Sequence, residues 1–539
     1  MFGLTSPRIQ FFILIAIGLA FYANSIKNQL AYDDSLVIVN NPYVWQGLKG
    51  IPAILSHDTY QPMIDSAHGE KRLMGGRYRP LSIVTFAIEQ QFFGLPQGQP
   101  GQGFFLRGVH VRHGINVLLY IGSVLLLYHL LNRYLFLDYP NVSFLTALVF
   151  LIHPIHTEVV ANIKGRDEIL SFLFITLTYI CFFKFYDKKK SIDLWLSQVC
   201  FFLALLSKEY APTLVLLIPA SLYIFRNTSA KQSLKAAAPF IATLTIYLAL
   251  RFYSAGFGDY TPQLNVLSNP YLLATPAQKI ATKIFTLMLY LKLLFFPDPL
   301  SVDYSYPAIA YRNFAAPEVW LSLSIHCGLM VAAIYGTIKR HPLGFAALTY
   351  LANLFLVSNF MVAIGGTLGE RLIYHSSLGF ALAAAWLLVW TYDAWPRPVS
   401  TKRPLALLAL TLLITLYAAK TIDRNRDWFN NATLFLKDVQ SEPNSIVTNA
   451  SAGGSLMILA NEPGNDTDRA SDLQYALIYT KKSIALNPYP DLLQLKALTW
   501  IYQSLGNKAE ATRTWQQVMR LDPQAKNPSQ FFGMTAGVR

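Results

Sequence analysis

The chain has 539 residues, of which 53% are hydrophobic and only 14% charged, whereas a soluble globular chain carries about 25% charged residues. A mean hydropathy of +0.34, with 35 Phe, 30 Tyr and 9 Trp, excludes a soluble scaffold and a disordered chain, and three cysteines are too few for a disulfide framework or zinc knuckles. The net charge of +14 sits in short blocks between apolar runs, which is the pattern of membrane orientation and not of a nucleic-acid groove.

From the N-terminus, apolar runs of roughly spanning length recur near 9–25, 114–131, 142–158, 169–186, 193–206, 211–225, 236–252, 318–337, 343–360, 372–392 and 404–420. A straight span needs about 20 residues, so short runs such as 193–206 must borrow flanking residues or tilt. The first run lacks a small-x-small cleavage site and reads as an uncleaved anchor. Basic blocks at 184–190, 226–235, 337–340 and 397–403 face the cytoplasm by the positive-inside rule. Loops 26–113, 159–168, 207–210, 253–317 and 361–371 then fall outside, as does everything after 420. A twelfth run, 280–296, with lysines at 279, 283 and 292, reads as an interfacial or re-entrant helix, because a lone full crossing would reverse two of the basic blocks; a crossing paired with a second segment in 253–317 also fits.

The two long outer loops carry their own signals. "PLSIVTFAIEQQFFG" (80–94) reads as a short helix on the membrane surface, opened by Pro80 in its first turn. After residue 420 the composition becomes that of a soluble chain. "ALNP" (485–488) and "RLDP" (520–523) end equivalent helices 35 residues apart, close to the 34-residue tetratricopeptide period. "SEPN" (441–444) belongs to a preceding repeat. The expected architecture is therefore mostly α: a transmembrane bundle of about 11–13 helices over 1–420, followed by an extracytoplasmic helical-repeat domain over 421–539.

The chemistry-bearing residues cluster at the outer rims. "AYDDSLVIVNNPYV" supplies Asp33 and Asp34, adjacent carboxylates that are costly to desolvate. One can deprotonate an acceptor hydroxyl while its neighbour helps hold a divalent cation; the plain alternative is a solvated helix exit. "LIHPIHTEVVANIKGRDE" (151–168) supplies His153, His156 and Glu158, followed by Arg166, Asp167 and Glu168. "LSKEY" adds Lys208 and Glu209, "LGERLIYH" adds Glu370, Arg371, Tyr374 and His375, and "GGRYRPLS" adds Arg77 and Arg79. Asp34, His156 and Glu158 are candidate ligands for Mg2+ or Mn2+. Arg79, Lys208 and Arg371 are candidates to hold a phosphate, supported by Arg77, His153, Glu209, Glu370 and Tyr374. Mixed acid, Arg and His clusters on one face suit an anionic headgroup held by a lipid tail. No phosphate-cradling glycine loop or nucleophile elbow is present, so no nucleotide cofactor is expected and the energy for a transfer must come from an activated donor outside.

The ordered set "YDDSLVIVNNPYV", "YRPLSIVTFAIEQQFFG", "HGINVLLY", "FLIHPIHTEVVANIKGRDEILSFLF", "LSKEYAPTL" and "LGERLIYHSSLGF" resembles the transmembrane and tetratricopeptide-repeat O-mannosyltransferases of the GT-C superfamily. The resemblance implies transfer of a sugar, mannose favoured, from a polyprenyl (undecaprenyl or dolichyl) phosphosugar to Ser or Thr of an exported protein, with inversion. In it Asp33 matches the proposed base with Asp34 beside it, Glu158 the acid of "HPIHTE", and Glu370–Arg371 the "ER" pair. The short repeat array points to a bacterial inner-membrane member with an undecaprenyl-linked donor, its N-terminus cytoplasmic and its repeats engaging the protein acceptor. The partners expected are membrane lipids, the lipid donor and the acceptor, with no nucleic acid. The competing readings are transfer to a lipid or glycan, and a non-catalytic transporter or assembly factor with a repeat dock; a transporter needs polar or broken helices at mid-membrane.

Overall fold

Proline sets where most helices begin. Pro7, Pro80, Pro140, Pro276, Pro317 and Pro342 each stand in the first turn of a helix, where the missing N–H costs nothing and the fixed φ favours helix entry. The computed structural model describes residues 6–61, 77–94, 108–256, 266–393, 402–462, 464–465, 467–489 and 491–525. No strand occurs among them, and the fold is all-α. Parts of the expected loops 26–113 and 253–317, and most of the basic block 397–403, lie outside the described residues.

Each expected apolar run is helical over most of its length, but fewer are long enough to cross a membrane than the eleven expected. Among the described residues five helices qualify by length and composition, Pro7–Lys27, Val109–Leu135, Ile163–Lys188, Ala230–Ala255 and Pro317–Ile338, and six if the bent pair Pro140–Ile152 and Pro154–Ala161 is one span. Ser191–Ser207, Ala211–Phe225, Pro342–Leu356 and Ser377–Thr391 are shorter apolar helices. They pack on the longer ones around a core that includes Tyr22, Tyr120, Phe150, Phe183 and Phe201. The expected run 280–296 is one unbroken helix, Pro276–Phe295, and not a segment that turns back. Its Lys283 ammonium donates to the Asn359 carbonyl and lies over the Tyr271 and Phe360 rings, 5.5 Å from each centroid.

The run 142–158 departs most from expectation. Helix Pro140–Ile152 stops at His153, whose extended backbone precedes Pro154, as a pre-proline residue prefers. A turn at Pro154–His156 leads into Thr157–Ala161, and the pair is bent by 54°. Residues 153–168, expected to end a span and then form an outer loop, are buried throughout. They are enclosed by the surrounding elements and carry charge there.

The two ends of the bundle differ. Arg226 pairs with Asp187 at 3.2 Å, and Arg340 donates to Asn227 Oδ1 at 2.8 Å and the Thr228 carbonyl at 3.0 Å, so three of the basic blocks meet at one end. The mixed acid and base rims gather at the other. The last bundle helix, Lys402–Asp427, continues seven residues past the expected boundary at 420 and delivers the chain to the repeats. Helices Asn431–Ser441, Ile446–Leu459, Arg469–Leu486, Leu492–Ser504 and Lys508–Leu521 then stack in sequence. Gly506, at φ +77°, makes the turn between the last two.

Candidate active site

The site is built on two turns that lock together. Asp34 is fully buried, and its carboxylate accepts from the Ala31 amide at 3.1 Å and the Lys164 amide at 2.8 Å. Burial pushes its pKa up to about 7 against the pull of those two amides. On the other turn Asn162 caps Lys164 (3.0 Å), and Asn116 donates to the Asn162 and Ile163 carbonyls. A side chain at Gly165 would strike the Val159 backbone, so glycine alone fits there. Below the turns Arg166 is fully buried, held by Glu89, by Asn116 Oδ1 at 2.7 Å and by the Arg112 carbonyl at 3.0 Å. That network ties helix Pro80–Phe93 to the bundle while Ile88, Phe92 and Phe93 stay exposed.

With Asp34 turned inward, its neighbour faces out. Tyr32 adopts the left-handed φ of +53°, uncommon for a bulky residue, and its amide donates to Asn431 Oδ1 at 2.7 Å. The Asp33 side chain keeps 17% of its surface open, with Lys164 Nζ at 3.8 Å and Arg371 Nη2 at 3.5 Å. Arg371 is fixed in turn by Glu158, which accepts from its Nη1 at 2.6 Å and its amide at 2.9 Å.

A lattice of alternating charge extends from there. Asp167 meets Arg79 at 3.2 Å, Lys208 at 3.4 Å and Lys164 at 3.6 Å. Lys208 also binds Glu168, whose second oxygen lies 3.3 Å from His375 Nδ1. Arg79 presents Nε and Nη2 to Glu209 at 2.8–3.1 Å. Although burial opposes it, the Arg79 guanidinium brings the Glu209 carboxyl down to about 2. An apolar cavity in the bundle, lined by Leu127, Leu131, Leu135, Phe172 and Leu214, reaches His375 at the edge of this lattice.

No family model matches the chain, and no solved structure matches it. Curated relatives do. The chain is 28% identical over 479 residues to protein O-mannosyl-transferase TMTC4 of Mus musculus, covering 78% of this chain and 60% of the relative. It is 24% identical over 547 residues to TMTC3 of Homo sapiens, covering 95% and 55%, and 24% identical over 427 residues to protein O-mannosyl-transferase F38B6.6 of Caenorhabditis elegans, covering 78% and 56%. Its curated homologues are protein O-mannosyl-transferases. The chain spans between about half and three-fifths of the length of these relatives.

Of the residues singled out from the sequence, Asp33, Arg79, Glu158, Lys208, Glu209 and Arg371 come together. Arg77 is half-buried beside Arg79 in sequence, its guanidinium 5.4 Å from the Tyr60 ring centroid. The others go elsewhere. His153 lies in the core, with Nε2 2.9 Å from the Leu294 carbonyl and Nδ1 capping the Pro154 turn. His156 bonds Tyr120 and Ser377 through its two ring nitrogens, at 2.8 and 2.9 Å. Tyr374 packs among Phe150, His156 and Phe172. Glu370 points away from Arg371 and accepts from the Ser301 amide at 2.6 Å and the Tyr304 hydroxyl at 2.8 Å.

Asp34, His156 and Glu158 therefore do not form a cation site. Each is committed to a different partner set, and no group of three or more metal-ligating side chains occurs among the described residues. Lys164 and Tyr60 were missed from the sequence, and Asp167 and Glu168 were noticed there without a role. The available signal was a lysine and two acids inside an otherwise apolar run, which are costly to bury unless paired.

Proposed function

We propose that the chain transfers a sugar, with mannose favoured, from a polyprenyl phosphate donor to a hydroxyl of an exported protein on the extracytoplasmic side. The relationship to protein O-mannosyl-transferases supports the acceptor class and the sugar. The observation that carries the reading is Asp33: a partly open carboxylate facing Arg371 and Lys164.

In this reading Asp33 Oδ2 accepts the proton of the acceptor hydroxyl as its oxygen attacks the anomeric carbon. The bond from that carbon to the phosphate oxygen breaks, and its electron pair leaves with the lipid phosphate. Attack and departure on opposite faces invert the anomeric centre. Arg371 and Arg79, the more open cations of the lattice, stabilise the departing negative charge, while Lys208 is buried beneath them and holds Asp167 and Glu168 in place. Asp34 fixes the turn that aims Asp33. The basic blocks gathered at the other end of the bundle support a cytoplasmic placement of that end.

The test uses the purified full chain with undecaprenyl or dolichyl phosphate mannose and a Ser/Thr-containing peptide. Mannosylated peptide and free lipid phosphate in equal amounts are expected. Absence of product with both donors, or full turnover by Asp33→Asn, overturns the reading.

A further inference from the structure

Each cation of the lattice is already matched. Arg79 faces Glu209 and Asp167, Lys164 faces Asp33 and Asp167, Lys208 faces Glu168 and Asp167, and Arg371 faces Glu158 and Asp33. These four cations are thus shared among five carboxylates, and an incoming phosphate competes for them. Arg371 and Arg79 face the departing charge only with what their carboxylates leave free, so a direct seat for the phosphate needs further donors.

Tyr60 and Arg77 meet that condition. Tyr60 is 4% exposed, and its hydroxyl, which keeps some access to solvent, makes no hydrogen bond to any described residue. The Arg77 guanidinium lies over the Tyr60 ring and forms no ion pair among the described residues. The two are held side by side by their backbones. Asp58 accepts from the Tyr60 amide at 2.7 Å and the Arg77 amide at 2.6 Å, Thr59 N donates to the Arg77 carbonyl at 2.8 Å, and Arg79 N donates to Thr59 Oγ1 at 3.0 Å. Opposite them stands Gly365, at φ +79°; a side chain begun there would meet Arg77 Nη2 at 3.6 Å. Although burial opposes it, the positive charge of Lys164, Arg77 and Arg79 draws the Tyr60 phenol below its ordinary pKa. The Tyr60 hydroxyl and the Arg77 guanidinium over its ring are two neighbouring donors left for an anion.

We propose that Tyr60 and Arg77 seat the phosphate of the lipid-linked donor, the phenol donating to one non-bridging oxygen and the guanidinium holding its neighbour. The inference rests on the transferase reading above and adds to it the contact that stabilises the leaving group. As the bond from the anomeric carbon to oxygen breaks, charge accumulates on the phosphate and both hydrogen bonds strengthen. No proton leaves Tyr60.

The test measures binding of undecaprenyl monophosphate and of undecaprenol to the full chain in nanodiscs, for wild type, Tyr60→Phe and Arg77→Gln, alongside turnover. Wild type is expected to prefer the phosphate. Each variant is expected to lose about tenfold or more of that preference while binding undecaprenol as before, and Tyr60→Phe is expected to lower kcat with the acceptor KM unchanged. A structural role for either residue would weaken both lipids together. If wild type does not distinguish phosphate from alcohol, the donor reading itself falls. If wild type distinguishes them and Tyr60→Phe, which removes a single oxygen, still does so fully, the Tyr60–Arg77 seat is wrong whatever the fate of Arg77→Gln.

Discussion

Arg371 grips Glu158 twice, through its amide at 2.9 Å and Nη1 at 2.6 Å, and its other terminal nitrogen, Nη2, lies 3.5 Å from Asp33. One guanidinium therefore fixes a buried acid and faces the open one. A lysine can supply the charge but not the fork. Arg371→Lys is expected to fold and to lose about tenfold or more in turnover. Arg371→Ala leaves Glu158 buried without its ion-pair partner and should cost about 3–5 kcal/mol of stability. Thermal unfolding together with a mannosyl-transfer assay separates the two; wild-type turnover in Arg371→Lys would sink the argument.

The adjacent aspartates should separate cleanly. Asp33→Asn is expected to reduce turnover at least about 100-fold with little change in Tm, because its carboxylate is partly open and makes no hydrogen bond to backbone. Asp34→Asn keeps one acceptor oxygen but places an amide where a backbone N–H points, and should destabilise by about 1–3 kcal/mol. The reverse pattern would exchange their roles.

Glu370 gives a pH signature. Burial raises its carboxyl from 4.5 to about 8, with Arg424 opposing and Glu158 reinforcing the rise. The folded protein therefore holds a proton that the unfolded chain releases above its ordinary pKa. The resulting stability is complete at low pH and is lost as pH climbs from about 4.5 through about 8. Glu370→Gln keeps the oxygen that accepts from Ser301 and Tyr304 and has no proton to lose. Its Tm should therefore rise relative to wild type across that window, and parallel curves would refute the assignment.

The repeats are tied to the site through Asp438, which binds Arg424 at 2.5 and 3.1 Å and accepts from the Val302 amide at 2.7 Å. Arg424 and Asp438 are both almost fully buried. Asp438→Ala should cost about 3–5 kcal/mol and expose the 301–305 segment to protease before the bundle unfolds. Unchanged proteolysis of that segment would show that the repeats do not hold it.

Orientation is open to direct labelling. In a chain freed of its three cysteines, a cysteine at exposed Tyr489 in the repeats should react with an impermeant maleimide in intact cells. One at exposed Lys190, among the basic blocks, should not. Labelling at Lys190 but not Tyr489 would invert the topology.

By itself the sequence determined where the helices lie, which ends carry bare basic charge, and that helical repeats follow the bundle. Those signals are local: apolar runs, proline in first turns, and a 35-residue spacing that recurs in helices ending at Leu486 and Leu521. It also identified the charged rims. Only the tertiary structure decided which charges meet. Glu158 and Arg371 are 213 residues apart in the chain, and no periodicity records a contact of that separation. The bend after His153 keeps 153–168 buried, leaves His153 and His156 in the core, and brings Lys164 and Asp167 against Asp33, Arg79 and Lys208. Of two neighbouring aspartates, backbone amides took one and left the other facing the site, because burying both without partners would cost more than the fold could recover.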